Sequence, residues 1–302
     1  MHAQVSAPES WPMARIPDLL ASGPTLSFEF SAPRDPDAQR RLEQAQQRLA
    51  RLEPSFISVT YGPSGTTRGP TEAIVSHAQH ALGVTAMPHL TCVSHTTEEI
   101  GAILDRYAAD GVENLLALHG DLPEGTDEMP PGHFSRAIDL VAFVRERVPF
   151  AIGVAIHPEG HPAAATLEED RAHQAAKLTT ADFGITQFFF RVEHYERYIE
   201  DLTSRGVDTP VIPGVMPPTN PELVARFAAM NNTEFPPEIR SRLEAAGDDL
   251  RARREIGVEV ASELSRRLLD AGAPGLHIYT LNFSQAASEV VRNLELRPAP
   301  SV

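Results

Sequence analysis

The sequence predicts an α/β protein, a single (β/α)8 TIM barrel with extra helices before the last strand. Short apolar runs alternate with amphipathic helical stretches about eight times. The length of 302 residues suits one such barrel. Polar residues gather after the carboxyl ends of the apolar runs, where barrel enzymes keep their chemistry. Residues 1–22 are expected to form an N-terminal arm, 23–296 the catalytic barrel and 297–302 a tail.

The first strand is residues 26–30, bounded by Gly and Pro. Asp35 caps the next helix with Pro36 in its first turn. Leu42, Ala45, Leu49 and Leu52 recur at helical spacing until Pro54. The second strand is 56–60, and a helix over 71–82 follows a Gly/Pro/Ser/Thr loop. After a third strand at 85–90, Thr96 and Glu99 form a capping box. That helix carries Ile100, Ile103, Leu104 and Tyr107 on one face. Residues 114–118 form the fourth strand, 134–147 a helix and 150–156 the fifth strand. Thr166 and Glu169 cap a helix to about 178. Then come a sixth strand at 184–190, a helix at 192–205 and a seventh strand at 210–216. Asn220 caps a helix opening on Pro221, and 236–245 and 248–271 add two more. The eighth strand is 275–280, and a last helix at 284–294 turns Ala287, Val290, Val291 and Leu294 inward.

The formal net charge of -15 argues against nucleic acid or an anionic membrane as partner. Cys92 is the one cysteine, which excludes an internal disulfide and a cysteine metal cluster and suggests a reducing, cytoplasmic compartment. No stretch approaches a membrane span, and residues 1–20 lack the apolar core of a signal peptide. Trp11, Leu19 and Leu20 suggest an arm packed on the barrel.

The strand ends carry Glu29, Thr60, His89, Asp121, His157, His161, Gln187 and Asn282. A carboxylate inside an apolar run, such as Glu29, needs a task or a partner, and Arg34 is near in sequence. Gln187, flanked by Ile185, Thr186 and three phenylalanines, needs hydrogen-bond partners. His89 also fits a core imidazole, and Asp121 after Gly120 fits a turn. No G-x-G-x-x-G or G-x-S-x-G is present. Two enzyme classes remain from the residues alone. One is a redox or addition enzyme using Glu29 and Asp121. The other is a metal-dependent hydrolase or lyase using His89, His119, His157 and His161. The last pair has ligand spacing only across a Pro-rich loop, so no metal is expected at the rim.

Several stretches together resemble the methylenetetrahydrofolate reductase family. They are Ser27-Phe28-Glu29-Phe30, Ser58-Val59-Thr60-Tyr61-Gly62, Pro88-His89-Leu90-Thr91-Cys92, Gly120-Asp121-Leu122-Pro123, Ile185-Thr186-Gln187-Phe188-Phe189-Phe190, Ile212-Pro213-Gly214 and Tyr279-Thr280-Leu281-Asn282. The resemblance implies reduction of 5,10-methylenetetrahydrofolate to 5-methyltetrahydrofolate on a (β/α)8 barrel. It implies that Glu29 is the general acid at the folate nitrogen N10, a role for which an apolar strand end favours the protonated carboxyl. Asp121 would stabilise the cationic iminium, and Gln187 would bond the pterin. Tyr279 and Phe283 fall on the folate side. Thr60, His89, His119, His157, His161, Asp170, His173 and Lys177 fall on the cofactor side.

The family's usual route runs from NAD(P)H through FAD to folate, and several flavin positions differ here. The expected Arg before Asp121 is His119, and the expected Tyr after the fifth strand is His157. Asp170 and Lys177 remain, but an Asn and an Arg are replaced by His173 and Ala176. Each lost Arg–phosphate contact removes roughly 1.5–3 kcal/mol. The family's aromatic after the seventh strand is Pro221, and its Arg after Asn282 is Phe283. The resulting expectation is folate reduction with NADH or NADPH as direct hydride donor and FAD weakly bound or absent. The alternatives are a repaired flavin site using His119 and His157, and a folate-binding barrel without catalysis.

Overall fold

In a computed structural model, which describes residues 13–33, 35–62, 68–93, 95–120 and 133–294, every strand pairing is parallel. The strands are β1 (Thr25–Phe30), β2 (Phe56–Val59), β3 (Ala86–Thr91), β4 (Asn114–Leu118), β5 (Ala151–Ile156), β6 (Phe183–Thr186), β7 (Val211–Ile212), β8 (Gly214–Val215) and β9 (Gly275–Tyr279). Their order is β7-β6-β5-β4-β3-β2-β1-β9-β8. The two ends of that order, β7 and β8, are separated in the chain by Pro213 alone. Residues 211–215 are therefore one stave, the expected seventh strand broken in the middle. Proline has no N–H to give a ladder. Its carbonyl accepts the His277 N–H at 3.0 Å, and the Gly214 N–H turns to Thr186 Oγ1 at 2.8 Å. Eight staves thus close a cylinder.

The helices are α1 (Ile16–Ser22), α2 (Pro36–Ala50), α3 (Arg68–His80), α4 (Thr97–Ala109), α5 (Ala137–Arg147), α6 (Leu167–Leu178), α7 (Val192–Ser204), α8 (Pro221–Met230), α9 (Pro237–Ala245), α10 (Leu250–Asp270) and α11 (Ser284–Leu294). The predicted caps hold them: Asp35 accepts from the Ala38 N–H, Thr96 and Glu99 make a reciprocal box, and Asn220 accepts from the Leu223 N–H. α10 opens later than expected because Asp249 is its cap. None of the described helices is long and apolar enough to cross a membrane.

Side chains alternate along each strand. Leu26, Phe28 and Phe30 face the helix layer and pack in one cluster with Leu42, Leu49, Val290 and Val291. Phe56, Met87, Leu116, Ala151, Phe183, Ile185 and Ile212 fill the cylinder near its amino end. Ile16 of α1 joins that inner cluster, so the N-terminal segment plugs the floor of the barrel. Asn114 fixes the plug: its Oδ1 accepts the Ile16 N–H at 2.8 Å, and its Nδ2 donates to Ala14 O at 2.9 Å. Trp11 and residues 297–302 lie outside the described residues.

The sixth strand is shorter than expected. Gln187 Oε1 accepts the next N–H, that of Phe188, and turns the chain after Thr186. Phe188 and Phe190 then leave the sheet for a separate cluster with Met216, Val224, Ile239 and Leu243.

Asn114→Ala leaves the buried Ile16 N–H without an acceptor. Urea unfolding is expected to show a loss of about 1–3 kcal/mol, and an unchanged midpoint would mean that the plug is not docked.

Candidate active site

Because β1, β2, β3 and β9 are neighbours, their inward residues form a polar column above the apolar floor. The register sets Ser27 beside His277, Glu29 beside Tyr279, and Glu29 beside Ser58. The His277 ring stacks on Phe56 with centroids 6.1 Å apart. Its Nδ1 lies 2.8 Å from Ser27 Oγ, and its Nε2 lies 3.3 Å from Ser58 Oγ. Ser27 Oγ also reaches Leu276 O at 3.2 Å, so the two serines hold the ring of His277 at both nitrogens.

Glu29 stands on top of this column. Its Oε2 is 3.6 Å from Nε2 of His277 and 3.6 Å from Nε2 of His89, too far for a hydrogen bond to either. The side chain is 16% exposed and reaches the carboxyl end of the barrel. Among the described residues no Arg or Lys pairs with it; Arg34 lies outside them. Burial pushes His89 down to about 4, with Glu29 pulling upward and His277 adding to the fall. His89 is thus neutral at pH 7, and its buried Nε2 has no hydrogen-bond partner among the described residues.

Tyr279 reaches over the stave 211–215. Its hydroxyl donates to Thr186 O at 2.7 Å on β6, the wall beyond that stave. Burial, with Glu29 nearby, raises its phenol well above the ordinary value, so it remains a donor. The crossing requires Gly214, where a Cβ would stand 2.5 Å from the Tyr279 ring and 2.3 Å from Thr186 O. Gln187 lies on that far wall, half-buried, with its Nε2 donating to Asn231 Oδ1 at 2.8 Å.

The cofactor-side residues divide into two groups. Thr60 follows β2 and is half-buried; its N–H donates to Phe30 O. His119 follows β4, and its carbonyl accepts the Val93 N–H at 2.9 Å. Gly120 next to it has φ +95 and touches Val93 so closely that a Cβ would lie 2.4 Å from it. Asp121 lies outside the described residues. After β5, Gln174 of α6 laces the turn: Oε1 accepts the His157 N–H at 2.8 Å and Nε2 donates to the His157 carbonyl at 3.1 Å. Asp170 is buried and accepts the His161 N–H at 2.9 Å. Lys177 donates to Ala155 O at 2.5 Å, and burial pushes it down to about 8. Burial also lowers His157 to about 3, helped by His161 and Lys177. The two rings meet edge to face at 4.7 Å. His173 is exposed on α6. Asn282 is engaged as structure: its amide bonds both the N–H and the carbonyl of Ser31. Phe283 beyond it is 61% exposed.

A sequence model described as Methylenetetrahydrofolate reductase matches residues 14–295. The chain is 35% identical over 274 residues to 5,10-methylenetetrahydrofolate reductase of Escherichia coli (strain K12), which covers 90% of this chain and 91% of that protein. The chain belongs to the methylenetetrahydrofolate reductase family. Methylenetetrahydrofolate reductase (NADH) 1 of Arabidopsis thaliana is 32% identical over 297 residues, covering 93% of this chain and 50% of that protein. Among solved structures, an uncharacterized Clostridium thermocellum protein that binds two copies of 5-methyl-5,6,7,8-tetrahydrofolic acid shares the fold, with TM-score 0.64 and 12% identity over 93% of this chain and 98% of that one.

For this member of the reductase family, the sequence reading missed His277, Ser27, Ser58 and Asn231. The first three were legible in principle. Ser27 and Glu29 sit two apart on one strand, as do His277 and Tyr279 on another, so each pair shares a face. Asn231 carried no such signal, because it reaches Gln187 from the end of α8.

The depressed His89 gives a pH test. Unfolded, the ring protonates near 6.5; folded, only near 4. In between the unfolded chain binds more protons, so stability falls as pH drops through that window. Urea unfolding from pH 7 to pH 5 is expected to show a loss from this residue on the order of 2 kcal/mol. His89→Gln should flatten that slope; an unchanged slope would contradict the neutral buried imidazole.

Proposed function

We propose that the chain reduces 5,10-methylenetetrahydrofolate to 5-methyltetrahydrofolate, with hydride passing directly from NADH or NADPH to the folate. The observation that carries this reading is Glu29, a carboxyl at the barrel mouth that no described cation pairs with, set between two imidazoles. Glu29 delivers its proton to N10 of the folate. The bond between N10 and the bridging carbon breaks, and its electron pair stays on N10. The bridging carbon becomes the electrophilic methylene of an N5 iminium. Hydride from the nicotinamide adds to that carbon, forming the N5-methyl group and the oxidised dinucleotide. Solvent at the partly exposed carboxyl then restores the proton.

The other residues position the two substrates. Gln187 bonds the pterin from the far wall, and its tie to Asn231 fixes which amide edge it offers. Asp121, outside the described residues, takes the role of stabilising the iminium charge that the family resemblance implies. Exposed Phe283 offers a surface for the folate's aromatic tail. Thr60, His89, His119, His157 and His161 line the nicotinamide side. Holding donor and acceptor in contact is a positioning task of large effect. The NADH in the printed names of the plant relatives favours NADH as donor.

The flavin-free part rests on the fit of the residues. FAD brings a pyrophosphate that wants cations or open donors. His157 carries no charge at neutral pH. The Lys177 ammonium is engaged by a strand carbonyl, and Asp170 is engaged by the loop it laces. His173 points to solvent at the surface of α6. These groups fit a flavin poorly, so no step is routed through one.

The purified protein is expected to lack flavin absorbance and to give intersecting lines in two-substrate kinetics. Stoichiometric flavin or parallel lines would refute direct transfer. Glu29→Gln is expected to lower kcat by about 10²–10⁴-fold with folate binding retained; unchanged turnover would remove Glu29 from its role.

A further inference from the structure

Three elements converge on a second polar group away from the barrel mouth. Glu159 lies in the turn after β5, His194 in the first turn of α7, and Glu234 between α8 and α9. Each brings one ligand atom to within 4.8 Å of the others. His194 Nε2 is 3.4 Å from Glu159 Oε1 and 3.4 Å from Glu234 Oε2. These separations are long for hydrogen bonds, and one Nε2–H cannot serve two carboxylates well. They match adjacent ligands of a tetrahedral ion, which stand about 3.4 Å apart when metal–ligand bonds are near 2.0–2.2 Å.

A second observation is independent of that spacing. The Glu159 side chain is 10% exposed, and its Oε2 is buried with no hydrogen-bond partner among the described residues. Its Oε1 already accepts the Glu234 N–H at 2.8 Å. An open, buried carboxylate oxygen is unfavourable unless positive charge meets it. The group lies on the wall of a cleft of about 950 Å³, also lined by Arg171, Arg197 and Thr233, which gives an ion access. Glu29, His89, Gln187 and Tyr279 do not line this cleft.

We propose that Glu159, His194 and Glu234 form a binding site for a divalent ion of the Zn²⁺ class, with water completing the coordination. One imidazole and two carboxylates suit Zn²⁺ better than the all-oxygen ions. Arg191 braces Glu234: its Nη2 stands 3.0 Å from Oε1, and its Nε donates to Oε1 at 3.0 Å and to the ligand oxygen Oε2 at 3.1 Å, leaving that oxygen's second lone pair for the ion. Arg197 Nη2 stands 3.5 Å from His194 Nδ1. Coordination through Nε2 places the ring proton on Nδ1, so the exposed Arg197 side chain swings away when the ion binds. The bound ion ties the turn between His157 and His161 to α7 and to the connection after α8. Asn232 already holds that turn through the carbonyls of Glu159 and Gly160, so the ligands are largely in place beforehand.

The test uses the full chain stripped of metal. Co²⁺ titration is expected to give one ion per chain with the visible bands of four-coordinate Co²⁺, and Zn²⁺ is expected to raise the thermal midpoint. His194→Ala and Glu234→Gln should each weaken Zn²⁺ binding by about 100-fold or more, beyond the usual effect of losing a group behind a ligand. Both should abolish the thermal shift. No binding, or unchanged affinity in both variants, overturns the proposal. Glu234 is 41% exposed in its side chain, so Glu234→Gln keeps the test valid if His194→Ala fails to fold. Neither readout uses turnover, so the result stands apart from the reading of the barrel mouth.

Discussion

Closure of the cylinder across residues 211–215 is the constraint on which the mouth depends. β7 gives its hydrogen bonds to β6, and β8 gives its own to β9, on either side of a proline that can join neither ladder as donor. A break that would weaken an ordinary central strand here lets one stave turn from one neighbour to the other. Gly214, just past the break, has no side chain, so Tyr279 lies across it and bonds β6 on the stave's other side. That stave closes the ring between β6, which leads into Gln187, and β9, which pairs with the strand of Glu29.

Within the ring, polarity is divided by height and by side. The floor is apolar and sealed by Ile16, which a single asparagine locks in place. Above it, one half of the interior holds serines, imidazoles, a phenol and a carboxyl. Such groups are tolerated in a barrel core only when their hydrogen bonds are largely met. Ser27 and Ser58 meet those of His277. His89 is the exception: burial keeps it neutral and its Nε2 faces the carboxyl without a partner. An unmet buried ring nitrogen beside a carboxyl costs stability.

The loop after β5 follows a different logic. Asp170 and Gln174 bind it from below, and Asn232 holds it from the side. Asp170 and Gln174 are thus engaged in keeping this loop in shape. The same loop turns Glu159 outward, toward His194 and Glu234. One short segment therefore carries both the His157–His161 ring contact and the carboxylate that lines a separate cleft.

By itself the sequence determined the number of staves and most helix starts, and it singled out the carboxyl of Glu29. These rest on local chemistry: the period of apolar residues, caps such as Asp35, Thr96 and Asn220, and the oddity of a carboxylate in an apolar run. The break at Pro213, the end of β6 at Gln187 and the roles of Asn114, His277 and Asn231 were decided only in three dimensions. Each depends on a partner far along the chain: Ile16 for Asn114, Ser27 for His277, Gln187 for Asn231. Asn282 shows the same limit from the other side. Its position marked it for the rim, but its amide pairs with Ser31 across 251 residues of sequence, a contact that only the closed ring brings within reach.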